Sequence, residues 1–284
     1  MKGIGYLLVS VLLFSVLDAL VKAATVDYSI VQVIFFRSVF AFVPLSVAVW
    51  WSGGLHTLRT ERPLYHVVRG VFGLVAMGAF FTALSRGALA DVVAISFSGP
   101  LFIALLARPL LGERLGRRRW TAVLIGFVGV LLIVRPGSTV FSSASLPALI
   151  GALSYSFIMV LVRRMGTTES TVTMAVFFTM FTTTASSVAL PWFWTMPDMY
   201  GFVLLAATGL AGGCANLCLT EAFRIAPVGL LAPFEYTALL WGILFGYVFW
   251  GEVPGPQVLA GAAVVVASGL VVVRRPTTML RPRS

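Results

Sequence analysis

Apolar residues run along the chain in stretches of about twenty, separated by short polar turns. Ten stretches can be drawn, at 4–22, 30–51, 66–85, 89–110, 120–134, 146–164, 171–190, 200–220, 228–250 and 256–273. About 20 consecutive apolar residues carry an α-helix across the hydrocarbon core of a bilayer. The fifth stretch is the shortest. The first begins like a signal peptide, with Lys2 ahead of an apolar run, but Asp18 and Lys22 interrupt its end and no clean cleavage site follows. It reads as a retained helix.

Composition agrees with the pattern. Of 284 residues, 59% are hydrophobic and 11% charged, with a mean hydropathy of +1.00. A soluble domain is nearer 45–50% apolar and about 25% charged. The expected fold class is therefore an all-α integral membrane protein with ten transmembrane helices. The net charge of +10 does not point to nucleic acid, because the basic residues sit in short loops between spans. They are also unevenly shared. One face receives only Lys22, Arg86 and Arg135, while the face holding the N-terminus takes the rest, Arg69 among them; Arg37 lies inside a span. The positive-inside bias places both termini in the cytoplasm of a multi-pass protein of the cytoplasmic (inner) membrane. Cys214 and Cys218 lie four apart in an apolar stretch and read as small hydrophobes, not as a disulfide framework or metal site.

Sliding the chain by 139 positions exposes an internal repeat. Gly112-Glu113 falls on Gly251-Glu252, Leu101 on Leu240, Leu105 on Leu244, and Gly70, Gly73 and Ala76 on Gly209, Gly212 and Ala215. "LVK" at 20–22 matches "LVR" at 161–163 with an offset of 141. Each half holds five spans. Five is odd, so the second half crosses the membrane inverted. That explains why the first Gly-Glu turn is followed by Arg114 and Arg117–Arg119 and the second by none. The motif belongs to the fold, whereas the arginines follow the side of the membrane. The division expected is a first five-helix repeat at 1–137, a linker at 138–145, a second, inverted repeat at 146–276 and a cytoplasmic tail at 277–284. Inverted repeats are a hallmark of secondary transporters, in which two related bundles exchange roles.

The stretch "GERLGRRRWTAVLIGFVGVLLIVRP" (Gly112–Pro136) resembles the drug/metabolite transporter superfamily, in its EamA-type ten-helix form. So do "FFRSVFAF" (Phe35–Phe42), with an arginine in the second helix, and Lys22 in "LDALVKA". The resemblance covers the whole chain as two EamA-type units and implies transport of a small organic solute. That family commonly keeps a proline in the ninth helix; here Pro233 comes early, and Leu239 stands where the first half has Pro100.

Ionisable groups inside a span cost about 2.5–3.5 kcal/mol each at mid-helix, so each needs a reason. Asp18 and Lys22 share one face of the first helix, Arg37 lies about two turns into the second, and Asp91 opens the fourth. These four are expected to form a polar cluster, either a set of structural ion pairs or a functional site. Glu221 and Arg224, three apart, read as a local pair. Glu235 stands beside Tyr236 with no basic neighbour in sequence, and a carboxylate there could carry a proton. Asn216 lies on a glycine-rich helix suited to close packing. Ser96 and Ser98, with Gly99-Pro100, predict a kink in the fourth span. By the repeat, Ser96 meets Glu235 and Phe97 meets Tyr236. The expected substrate-binding set is Arg37, Ser96, Phe97, Asn216, Glu235 and Tyr236, with Asp18, Lys22, Asp91 and Glu235 as the polar or proton-coupling set.

Enzyme chemistry is not expected. There is no HExxH and no Gly-x4-Gly-Lys-Ser/Thr phosphate loop. No cofactor or metal is called for, and the expected partners are a small-molecule substrate and the lipid bilayer. Aromatic, hydroxyl and a few charged groups suit an amphiphilic solute of the amino-acid type, with export favoured by the resemblance. The alternative is uptake of a vitamin such as riboflavin.

Overall fold

The computed structural model describes residues 2–60, 62–111, 117–134, 143–165, 169–225 and 234–273. Among the described residues, eleven helices make ten crossings: α1 (Lys2–Ala24), α2 (Ile30–Trp51), α3 (Pro63–Arg86), α4 (Leu89–Ser96) and α5 (Gly99–Leu111), which form one broken crossing, α6 (Arg117–Val134), α7 (Ser145–Met165), α8 (Thr171–Ala189), α9 (Met199–Ile225), α10 (Thr237–Trp250) and α11 (Pro256–Val273). Six are long and apolar enough to cross a membrane alone, and the remaining crossings are shorter apolar helices. Among the described residues there is no strand. An even number of crossings puts the start of α1 and the end of α11 on one face. That face is called the terminal face below, and the other the distal face.

Local chemistry sets the helix ends. The Ser29 hydroxyl accepts from the Gln32 amide and starts α2; Ser170 does the same for Thr173 at the start of α8. The Asp198 carboxylate accepts from the Gly201 amide, 2.7 Å away, at the start of α9. Gly251 ends α10 with φ of 66°, a left-handed backbone that glycine takes without penalty. The turn is closed by Gly251 N–H to the Tyr247 carbonyl and Glu252 N–H to the Gly246 carbonyl. This is the chemistry of the Gly-Glu motif: glycine folds the chain back, and the glutamate beside it is aimed over the helix end. Gly112-Glu113, the same place in the first half, lies outside the described residues, as does Pro233.

The most extensive interhelical contacts join α1 to α9, α3 to α7, α2 to α8 and α6 to α11, with α2 against α9 as well. In repeat terms, the first helix of each half packs on the third helix of the other, the two second helices pair, and the two fifth helices pair. That is the pattern of two inverted five-helix halves about one axis. Small residues permit it. A side chain at Gly209 would meet the Arg37 carbonyl at 2.8 Å and the backbone of Phe40, and one at Gly129 would meet the Gly261 carbonyl at 2.8 Å. Ser38 and Thr182 share a 2.9 Å hydrogen bond across α2 and α8. Gln32, fully buried, exchanges two bonds with the Thr195 backbone and ties α2 to the loop before α9. Trp50, Trp51 and Trp192 lie exposed at helix ends, as interfacial aromatics do.

Gly209→Val forces a branched side chain into backbone that cannot yield. Overpacking of this kind costs about 1–3 kcal/mol. Gly209→Val is expected to lower the thermal midpoint in detergent by several degrees, while Gly78→Ala, with nothing within 4 Å of the new carbon, leaves it in place. Equal midpoints for the two would contradict the packing described.

Candidate functional site

The fourth crossing breaks as its Ser-Gly-Pro sequence predicts. α4 stops at Ser96, and α5 starts at Gly99. The Ser96 hydroxyl turns back to the Val92 carbonyl at 2.9 Å. On α7, the Ser156 hydroxyl donates to the Gly99 carbonyl at 3.0 Å. Irregular backbone at membrane depth persists where it is buried in protein or lines a cavity. The ninth crossing is interrupted at the repeat-related place: Phe234 and Glu235 form a helical turn, Tyr236 is a turn residue, and α10 resumes at Thr237. The two interruptions meet. The rings of Phe97 and Tyr236 lie edge to face with centroids 5.0 Å apart.

Beside this contact three crossings carry ionisable groups within electrostatic range of Tyr155. Glu235 acts electrostatically on Tyr155 of α7 and on Tyr236, and Arg69 of α3 acts on Tyr155. Tyr155 is 48% exposed. Its charged neighbours come from two other crossings. The Arg69 guanidinium donates to the Met174 carbonyl and lies over the Phe178 ring, 4.8 Å from its centroid, while its Nε has no partner.

A second group lies nearer the distal face. The Arg37 guanidinium crosses from α2 to place Nη1 3.1 Å from the Met77 sulfur on α3. A side chain at Gly212 of α9 would stand 3.4 Å from Arg37 Nε, so the glycine makes room for the guanidinium. Asp18 of α1 is its electrostatic partner, but the two form no ion pair, and Arg37 Nε is left without a hydrogen bond. Asn216 lies one turn beyond Gly212 on α9, on the same side and partly exposed. Among the described residues, none makes a hydrogen bond to the side chains of Asp18, Tyr155, Asn216, Glu235 or Tyr236. From helical rise, Arg37 lies about 10 Å from the distal end of α2, and Glu235 about 22 Å from the distal end of α10. Arg37 is thus nearer the distal face than Glu235.

The four-residue polar cluster of Asp18, Lys22, Arg37 and Asp91 does not assemble as one. Asp18 and Arg37 face each other. Lys22 instead forms an ion pair with Glu252 and donates to the Gly87 carbonyl at 2.6 Å. Asp91 stays in the first turn of α4, partly exposed. The proposed Glu221–Arg224 pair falls partly outside the described side chains. Sequence reasoning missed three residues. Arg69 was counted with the loop charges although it falls within the 66–85 span; the cost argument applied to Arg37 would have singled it out. Glu252 was read as a fold motif only. Tyr155 carries no signal that distinguishes it from other aromatics.

A bundle of apolar helices in two inverted halves, with broken crossings meeting at unpartnered polar groups, defines a membrane transporter. The model of the EamA-like transporter family matches residues 1–135 and again 142–274. The chain belongs to this family, within the drug/metabolite transporter superfamily. It is 28% identical over 271 residues to the S-adenosylmethionine uptake transporter of Rickettsia bellii (strain RML369-C), covering 95% of this chain and 93% of the relative. It is 30% identical to the pseudopaline exporter CntI of Pseudomonas aeruginosa (strain UCBPP-PA14), covering 90% of each, and 28% identical to a riboflavin transporter of Rhizobium johnstonii, covering 82% of each. A solved crystal structure superposes with a TM-score of 0.65 at 22% identity, over 94% of this chain and 97% of that one. It has the same fold.

Polar groups kept for binding stabilise the empty protein little, whereas a satisfied ion pair leaves a charge stranded when one member is lost. Arg37→Met and Glu235→Gln are therefore expected to leave the thermal midpoint unchanged or raise it. Lys22→Met should lower it. A drop for Arg37→Met as large as that for Lys22→Met would make Arg37 a structural residue.

Proposed function

We propose that the chain is a secondary transporter for a small amphiphilic metabolite with an amino-acid head, moved by alternating access of the two inverted halves, with export the favoured direction. One observation supports this reading: charged groups of both signs, Arg37, Asp18 and Glu235, lie within the membrane-spanning crossings, and Glu235 adjoins the point where the aromatic rings of the two interrupted crossings meet. Arg37 takes the substrate carboxylate. Asp18 or Glu235 takes the ammonium, and Asn216 orients the polar head by hydrogen bonds. Phe97, Tyr236 and Tyr155 hold the apolar or planar part, with Ser96 beside them at the break. The placing of Arg37 nearer the distal face than Glu235 suits an elongated solute with polar groups at both ends.

The cargo names of two relatives fit this chemistry. S-Adenosylmethionine joins an amino-acid head to a planar base, though its carrier in Rickettsia bellii is an uptake transporter; the pseudopaline exporter, at 30% identity, supports the outward direction. Uptake of a vitamin such as riboflavin is the second reading, supported by the aromatic lining and by the Rhizobium relative. The charge bias of the loops supports termini in the cytoplasm and placement in the inner membrane. Residues 1–137 and 146–276 are the two moving units. Glu235, acidic and without a hydrogen-bond partner, is the group proposed to couple substrate to protons.

Counterflow tests the cargo without knowledge of coupling or direction. Proteoliposomes are preloaded with unlabelled amino acids, S-adenosylmethionine or riboflavin, and uptake of the matching tracer is followed. Accumulation with an amino-acid-headed solute is expected. Accumulation with riboflavin alone would replace the first reading by the second. Where a cargo is found, Glu235→Gln is expected to abolish stimulation by an imposed pH gradient while leaving counterflow measurable. An unchanged pH response would remove Glu235 as the proton carrier.

A further inference from the structure

We propose that Lys22, Glu252 and the Leu89 amide form a latch that closes the distal face over the candidate site, and that the latch must open for solute to pass there. Gly251 turns the chain back at the end of α10, and the Glu252 carboxylate swings over the helix end. Gly246 below it leaves room: a side chain there would stand 3.2 Å from Glu252 Oε2. Oε1 pairs with the Lys22 ammonium at the end of α1, and Oε2 accepts from the Leu89 amide at the start of α4, 2.8 Å away. The ammonium also donates to the Gly87 carbonyl at the end of α3 and lies 5.1 Å from the Trp250 ring centroid. One carboxylate thus joins the second half of the chain to two helix ends of the first half and, through Lys22, to a third.

Three features make this a latch instead of a permanent staple. Its members sit at helix ends and turns, where small movements of whole helices separate them. It lies directly above the site, because Lys22 is one turn from Asp18 on the same face of α1. The pair is not sealed from solvent, with Lys22 and Glu252 side chains 11% and 21% exposed. Water can therefore solvate both charges as they part, which lowers the cost of opening. Below the latch α10 meets α4 closely at Gly242, beside Val93 and Ala90.

The test reads the distance across the latch and needs no substrate, so its failure is separate from failure of the cargo proposal. Spin labels are placed at Val26 and Val253, each 76% exposed on either side of the latch, in a chain with Cys214 and Cys218 replaced. Pulsed electron–electron resonance on the otherwise unaltered protein in nanodiscs should give one main short distance. Lys22→Met and the milder Glu252→Gln should each add a population longer by about one helical turn, roughly 5 Å. The charge swap Lys22→Glu with Glu252→Lys should restore the short distance. Distributions unchanged in both single variants would overturn the latch.

Discussion

In hydrocarbon a polar group must find a partner inside the protein or face a cavity, and the rest of this structure follows from that constraint. Backbone groups meet it by folding into helices. Where the helices break, at Phe97-Ser98 and at Tyr236, the broken segments are buried against each other and against Ser156. Side chains meet it in two different ways. Lys22 and Glu252 satisfy each other with help from two backbone groups. Arg37 and Arg69 each keep a buried Nε unbonded, and the Tyr155 and Glu235 side chains make no hydrogen bond among the described residues, a cost that polar groups inside a span carry where they serve a function.

The inverted repeat places these two kinds of group at different levels. Pairing of first helices with third helices puts α1 and α9 beside the broken crossings, and glycines such as Gly212 let Arg37 reach between them. The polar interior is thus a consequence of close backbone contact. Larger residues on α9 would fill the space that the guanidinium uses. At the distal face the same symmetry brings the ends of α1, α4 and α10 together, and the Gly-Glu turn supplies the carboxylate that joins them.

Much of this was legible in sequence. The apolar runs located both ends of α2 and the start of α11 to the residue, since lipid demands continuous apolarity and the flanking polar turns are short. The Ser-Gly-Pro stretch announced the broken crossing. The 139-residue register paired Phe97 with Tyr236, and their rings are in contact. Other features were hidden. Lys22 and Glu252 are 230 positions apart, and no local pattern links a lysine to a glutamate at that distance. The expected cluster around Asp18 failed because helical spacing shows which residues share a face but not which neighbour that face meets. Arg69 was lost to its position near a span end, where an arginine reads as a topology signal.

The central claim is that the unbonded polar groups between the halves contact the transported solute. The most direct measurement is protection of a thiol at Asn216→Cys, in a chain with Cys214 and Cys218 replaced, against a small water-soluble reagent. The solute that supports counterflow should slow labelling at position 216 in proportion to its occupancy, and Arg37→Met should abolish that protection. Labelling unaffected by a solute that the same protein still transports would contradict the account.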